Sequence, residues 1–135
     1  MAVSISPTGL ATTALVADQV SILATYTENL CNRYCVNSSI VPQYAITYTN
    51  EAPVLVGSTT FVPIVATITI TTAKCKCDAR TRIYTERFMV AFQGQTTLPT
   101  SVTITSVGRT TGASNVRCCV ASAFKIEDSL TIAIA

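Results

Sequence analysis

The chain contains no histidine and no tryptophan, and only 12% of its 135 residues are charged, against about 25% in an average soluble domain. Each shortage removes a class of function. Without histidine there is no imidazole to serve as a general base for a serine or cysteine nucleophile, and a Cys/His zinc site cannot form. Without tryptophan, and with aromatics at 7%, there is no stacking platform of the kind that binds carbohydrate. A net charge of +2 is too small for the clustered basic stripe that marks a nucleic-acid partner. No run of 18 apolar residues is present, so neither a transmembrane helix nor a membrane partner is expected. The start, Met1-Ala2-Val3-Ser4-Ile5-Ser6-Pro7, has no basic segment followed by an apolar one. A secretory signal is therefore not visible, and the expected route to a surface is another one, such as lysis of the producing cell.

What is present is a neutral, β-branched composition. Hydrophobic residues make up 49% of the chain, and about one residue in six is threonine. Threonine suits a strand and leaves a hydroxyl for the watered face. A sheet protein covered by threonine rather than lysine lacks charge repulsion and is suited to packing against copies of itself.

Period-two alternation recurs along the chain. Residues 1–16 read as an extended N-terminal arm, in which Val3 and Ile5 alternate with small polar residues before Pro7 and Gly9 interrupt. Over 18–36 a helical stripe (Val20, Leu23, Leu30, Cys31) competes with alternation. The Thr, Tyr and Val content favours a strand near 19–27, followed by a loop or short helix. Strands follow at 43–49, 54–56, 61–72, with Pro63 near its start, and 81–92, where Tyr84, Phe88, Val90 and Phe92 share a face. Further strands are predicted at 102–107, 116–126 and 130–135, with a glycine-containing loop at 108–115 and a turn at Glu127-Asp128-Ser129. The expected fold class is all-β: a β-sandwich or jelly roll of about eight strands, one domain over 17–135 behind the arm.

Six cysteines fall in three pairs: Cys31 and Cys35, Cys75 and Cys77, Cys118 and Cys119. So many in a short chain point to disulfides. None of the spacings is Cys-x-x-Cys, so no metal site or other cofactor is expected. On a strand, Cys75 and Cys77 share a face, whereas Cys118 and Cys119 point opposite ways. One of the latter two can bond within the domain while the other bonds to a neighbouring chain. Three intramolecular bridges are equally compatible with the spacing, since six cysteines allow fifteen pairings.

The carboxylates (Asp18, Glu28, Glu51, Asp78, Glu86, Glu127 and Asp128) fall mostly in predicted turns and loops. Glu86 alone is mid-strand, where an exposed cross-strand ion pair is expected. Arg80, Arg82 and Arg87 with Lys74 and Lys76 read as a solvated strand–turn–strand edge. No nucleotide-binding glycine loop or G-x-S-x-G elbow is present. Asn37-Ser38-Ser39 matches a glycosylation acceptor, a weak match without a secretory signal. The chain is thus expected not to be an enzyme, to need no cofactor and to bind no small-molecule substrate.

Both ends read as pairing strands. Leu130, Thr131, Ile132, Ala133 and Ile134 form an uncharged terminal strand without lysine, proline or bulge. It is either central in its sheet or an edge completed by another subunit. Ala2, Val3, Ser4, Ile5 and Ser6 form a candidate completing strand, added to a neighbour by β-augmentation. The signal-free arm, the Thr/Val/Ile-rich strands, the adjacent Cys118-Cys119 and the lack of histidine and tryptophan resemble the pilin-like subunits of bacterial endospore appendages. That resemblance implies small β-sandwich subunits joined head to tail by strand augmentation and bonded through cysteines in N-terminal arms. This chain departs from the pattern: its paired cysteines lie near the C-terminus, and no cysteine precedes Cys31. The expected function is a structural subunit of an extracellular fibre or spore-surface appendage, partnered by copies of itself. A phage or viral coat or decoration protein is one alternative. A small secreted binding module held by disulfides is another.

Overall fold

The computed structural model describes residues 2–7, 18–29, 43–73, 79–114 and 123–135. Among them there is no helix, and eight strands build two antiparallel sheets: β1 (Ala2–Pro7), β2 (Gln19–Asn29), β3 (Gln43–Asn50), β4 (Val54–Val56), β5 (Thr59–Ala73), β6 (Ala79–Gln93), β7 (Val102–Ser114) and β8 (Ala123–Ile134). The first sheet runs β1-β2-β8-β7. In the second, β6 pairs with β5 along its whole length, and β3 and β4 lie end to end on the other side of β5.

Alternation sets which faces meet. Ile22, Ala24 and Tyr26 of β2 and Phe124, Ile126, Leu130 and Ile132 of β8 are buried in one cluster with Val62, Ile64, Ala66, Ile68 and Ile70 of β5 and Val90 and Phe92 of β6. Both sheets therefore turn their even-numbered positions on these strands toward a shared core, where burial of each large aliphatic or aromatic side chain stabilises by about 1.5–3 kcal/mol. The Tyr44 and Phe124 rings, one from each sheet, meet at 6.1 Å between centroids.

Pro63 sits inside β5 rather than at its beginning. Its carbonyl accepts from the Glu51 N–H. Its missing donor therefore points to the same side, into the break between β3 and β4 where no ladder bond is lost. The two-residue link Gly57-Ser58 joins Val56 to Thr59, and Gly57 takes φ +63°, which a side chain would resist.

Two expectations are corrected at the C-terminal end, and one open alternative is decided. The predicted loop at 108–115 is strand over its described residues, 108–114, because β7 continues to Ser114. The predicted turn at Glu127-Asp128-Ser129 is the middle of an uninterrupted β8, paired on both sides. Residues 130–134 are thus the second half of a central strand, between β2 and β7. The end is tied further, Ile134 N–H donating to the Asp18 carbonyl and Ala135 exchanging hydrogen bonds with Ser101. At the other terminus, residues 2–7 of the expected arm pair with β2 from Ala2↔Thr27 to Pro7↔Ile22.

Candidate functional site

The most elaborate arrangement of polar side chains lies between the sheets, around Asp128. A carboxylate at an inward position of a central strand is costly unless charge and hydrogen bonds compensate it. Asp128 is 0% exposed and accepts three hydrogen bonds. Ser106 Oγ donates to Oδ1, while Tyr48 Oη (2.6 Å) and Arg109 Nη2 (2.9 Å) donate to Oδ2. Because the Tyr48 proton goes to Asp128, the 3.1 Å contact between Tyr26 and Tyr48 hydroxyls is completed by Tyr26 donating. The chain of bonds thus runs from β2 through β3 of the opposite sheet to β8 and β7.

A β-bulge makes this possible. Up to Ser106, even-numbered residues of β7 face inward, opposite Leu130 and its even-numbered neighbours; the register then slips so that Gly108 opposes Ser129 and Arg109 opposes Asp128. Val107 is the extra residue, 65% exposed. Inserting it brings an odd-numbered residue, Arg109, onto the inward face, the re-aiming that bulges provide. The Arg109 guanidinium also lies over the Tyr44 ring at 5.8 Å.

The electrostatics follow. Burial pushes the Tyr26 hydroxyl up to about 12. Burial, and then donation to Asp128, push the Tyr48 hydroxyl far above its ordinary value. Desolvation works against the Arg109 charge, but Asp128 more than offsets it and the pKa rises. Tyr26, Tyr48 and Arg109 are thus held protonated by their surroundings, and the cluster joins strands of the two sheets through side-chain hydrogen bonds.

A second polar contact links the sheets near β6. Tyr84 bonds with Glu28 of β2 and with Arg82, and burial foremost raises its pKa. Glu86 lies on the same inward face and is half-buried. The exposed ion pair of this strand belongs instead to Arg87, which meets Glu51 at 2.9 Å.

Of the residues singled out in the sequence, Val3 and Ile5 pack against the core from edge strand β1, while 130–134 lie mid-sheet. All six cysteines, Cys31, Cys35, Cys75, Cys77, Cys118 and Cys119, lie outside the described residues, as does the expected loop or short helix after residue 29. The Asp128 cluster was missed because an acidic-acidic-serine triplet is a turn signal. The one hint was the even-numbered series Phe124, Ile126, Asp128, Leu130, Ile132, which places Asp128 in an otherwise apolar inward row.

No family model, curated protein or solved structure matches this chain.

Proposed function

We propose that this protein is a non-enzymatic structural subunit, a β-sandwich of jelly-roll type that polymerises at an extracellular, spore or particle surface. Strand β1 of one copy completes the first sheet of the next, and disulfides among the six cysteines harden the product. The observation that carries the reading is the attachment of β1. Among the described residues it is an uncharged edge strand with a single neighbour, β2, and the eleven residues 8–18 join the two in sequence. A hairpin needs about 2–5 residues. Eleven span up to about 36–40 Å, enough for β1 to reach the β2 edge of another molecule. An element exchanged this way between identical copies makes a head-to-tail contact that extends into a filament when it does not close. The core between the sheets, tied by Tyr48 and Asp128, supplies a body that keeps its shape while β1 changes partner.

The test is electrophoresis of the full chain, unheated and non-reduced, beside a boiled, reduced sample, with negative-stain microscopy of the same material. A ladder or well-retained band with fibres is expected, collapsing on deletion of residues 2–7 while circular dichroism still reports a folded sheet protein. A clean monomer in both lanes sinks the proposal. Closed shells instead of fibres would favour a coat protein.

A further inference from the structure

The four edges of the two sheets are not alike. β1 is six residues long and ends in Pro7. β7 carries the bulge after Ser106. The β3/β4 edge is interrupted at residues 51–53. The outer edge of β6 is different: fifteen residues, Ala79–Gln93, with neither proline nor glycine and with no slip in its register against β5. Among the described residues it pairs only with β5. A long regular edge with open N–H and C=O groups is a template for another strand.

Charges are the usual protection of such an edge, and β6 has Arg80, Arg82, Glu86 and Arg87. Their placement forbids most pairings and permits a symmetric one. When two β6 strands pair antiparallel about an axis through Tyr84, Arg82 of each copy stands opposite Glu86 of the other, twice, on the same inward face. No arginine opposes an arginine. On the outer face Ile83, 68% exposed, lies opposite Thr85 of the second copy, a β-branched pair. Parallel pairing in register would instead stack Arg82 on Arg82 and Glu86 on Glu86. Directly opposed opposite charges favour a strand pair and like charges oppose it.

We infer that the free edge of β6 is a self-recognition surface, at which a second copy of this chain pairs antiparallel about Tyr84 and the second sheets of two molecules join into one. This contact is isologous and two-fold, distinct from any exchange of β1; it ties two subunits side by side.

The symmetry supplies its own test. Photochemical dityrosine cross-linking of the full chain, followed by peptide mass spectrometry, should yield Tyr84 joined to Tyr84, a product that only two molecules can form. Arg82→Glu alone sets carboxylate against carboxylate at both cross-strand pairs, and Glu86→Arg alone sets guanidinium against guanidinium. Each should lower the yield about tenfold, the scale set by turning two attractive cross-strand pairs repulsive. The exchange Arg82→Glu with Glu86→Arg rebuilds both pairs and should return the yield to within about threefold of wild type, all variants showing the same circular dichroism. Absence of the Tyr84–Tyr84 product, or an exchange variant no better than the singles, overturns the inference; a register about Ile83, which opposes Arg80 to Glu86, predicts that failure to rescue. Deleting residues 2–7 leaves the product in place, so this contact and the β1 exchange stand or fall separately.

Discussion

Replacing Arg109 by methionine tests the account of the inter-sheet cluster most directly. Methionine keeps an unbranched stem of similar length but removes the only cation bonded to Asp128 among the described residues. Removing one partner of a buried ion pair costs about 3–5 kcal/mol, because the remaining charge is left in a low-dielectric setting. Two features reduce that figure here. Arg109 keeps 27% of its side-chain surface in water, and Ser106 and Tyr48 still donate to the carboxylate. The expected loss is therefore about 2–3 kcal/mol. For a chain of this length it lowers Tm by about 7–10 °C, taking an unfolding entropy of about 2.1 cal/mol/K per residue. Calorimetry and denaturant titration in a matched disulfide state measure both quantities. Arg87→Met is the control: its pair with Glu51 is exposed on both sides, and its loss should cost less than about 1 kcal/mol. Asp128→Asn should cost less in the Arg109→Met background than in wild type, by about 1.5 kcal/mol or more, since the charge that needed Arg109 is gone. If Arg109→Met costs no more than the Arg87 control, or if the Asp128 and Arg109 effects simply add, the cluster does not hold the sheets as described.

The bulge has its own signature. Val107→Ala should change stability by less than about 0.5 kcal/mol because the side chain is exposed. Deleting Val107 returns Arg109 to the outward parity and should cost at least as much as Arg109→Met, read by denaturant midpoint. Alkaline titration followed by tyrosine absorbance should show Tyr26 ionising late. Its folded pKa of about 12 lies above the ordinary 10.0. The neutral form is thus the one that folding favours, and its contribution, about 2–3 kcal/mol, is fully present below pH 10 and lost as pH rises from 10 to 12. Tyrosines that all ionise together near pH 10 with the sheet intact would refute this. Phe124→Ala, at a fully buried position facing Tyr44, should cost about 3–5 kcal/mol in the same denaturant assay.

The class of the fold was legible in the chain because β-branched residues alternating with period two can bury only one face of a strand. Strands at 43–49, 54–56, 61–72 and 81–92 could be placed from this alone, and so could the apolar rows Ile64-Ala66-Ile68-Ile70 and Tyr84-Phe88-Val90-Phe92. The misplaced loop and turn fell together in β7 and β8. Gly108, Gly112 and the triplet Glu127-Asp128-Ser129 carry local turn signals, and locally those signals are correct. They are overridden by partners remote in sequence: Tyr48, eighty residues before Asp128, and Arg109, turned inward by a one-residue slip against a neighbouring strand. Alternation likewise marked residues 130–134 as a strand but not as a central one, because whether an edge is open is a property of the sheet order. What the sequence determined by itself is which positions seek burial. Where a buried carboxylate finds its donors, and which strand is left with an unpaired edge, were decided only when the two sheets closed on one another.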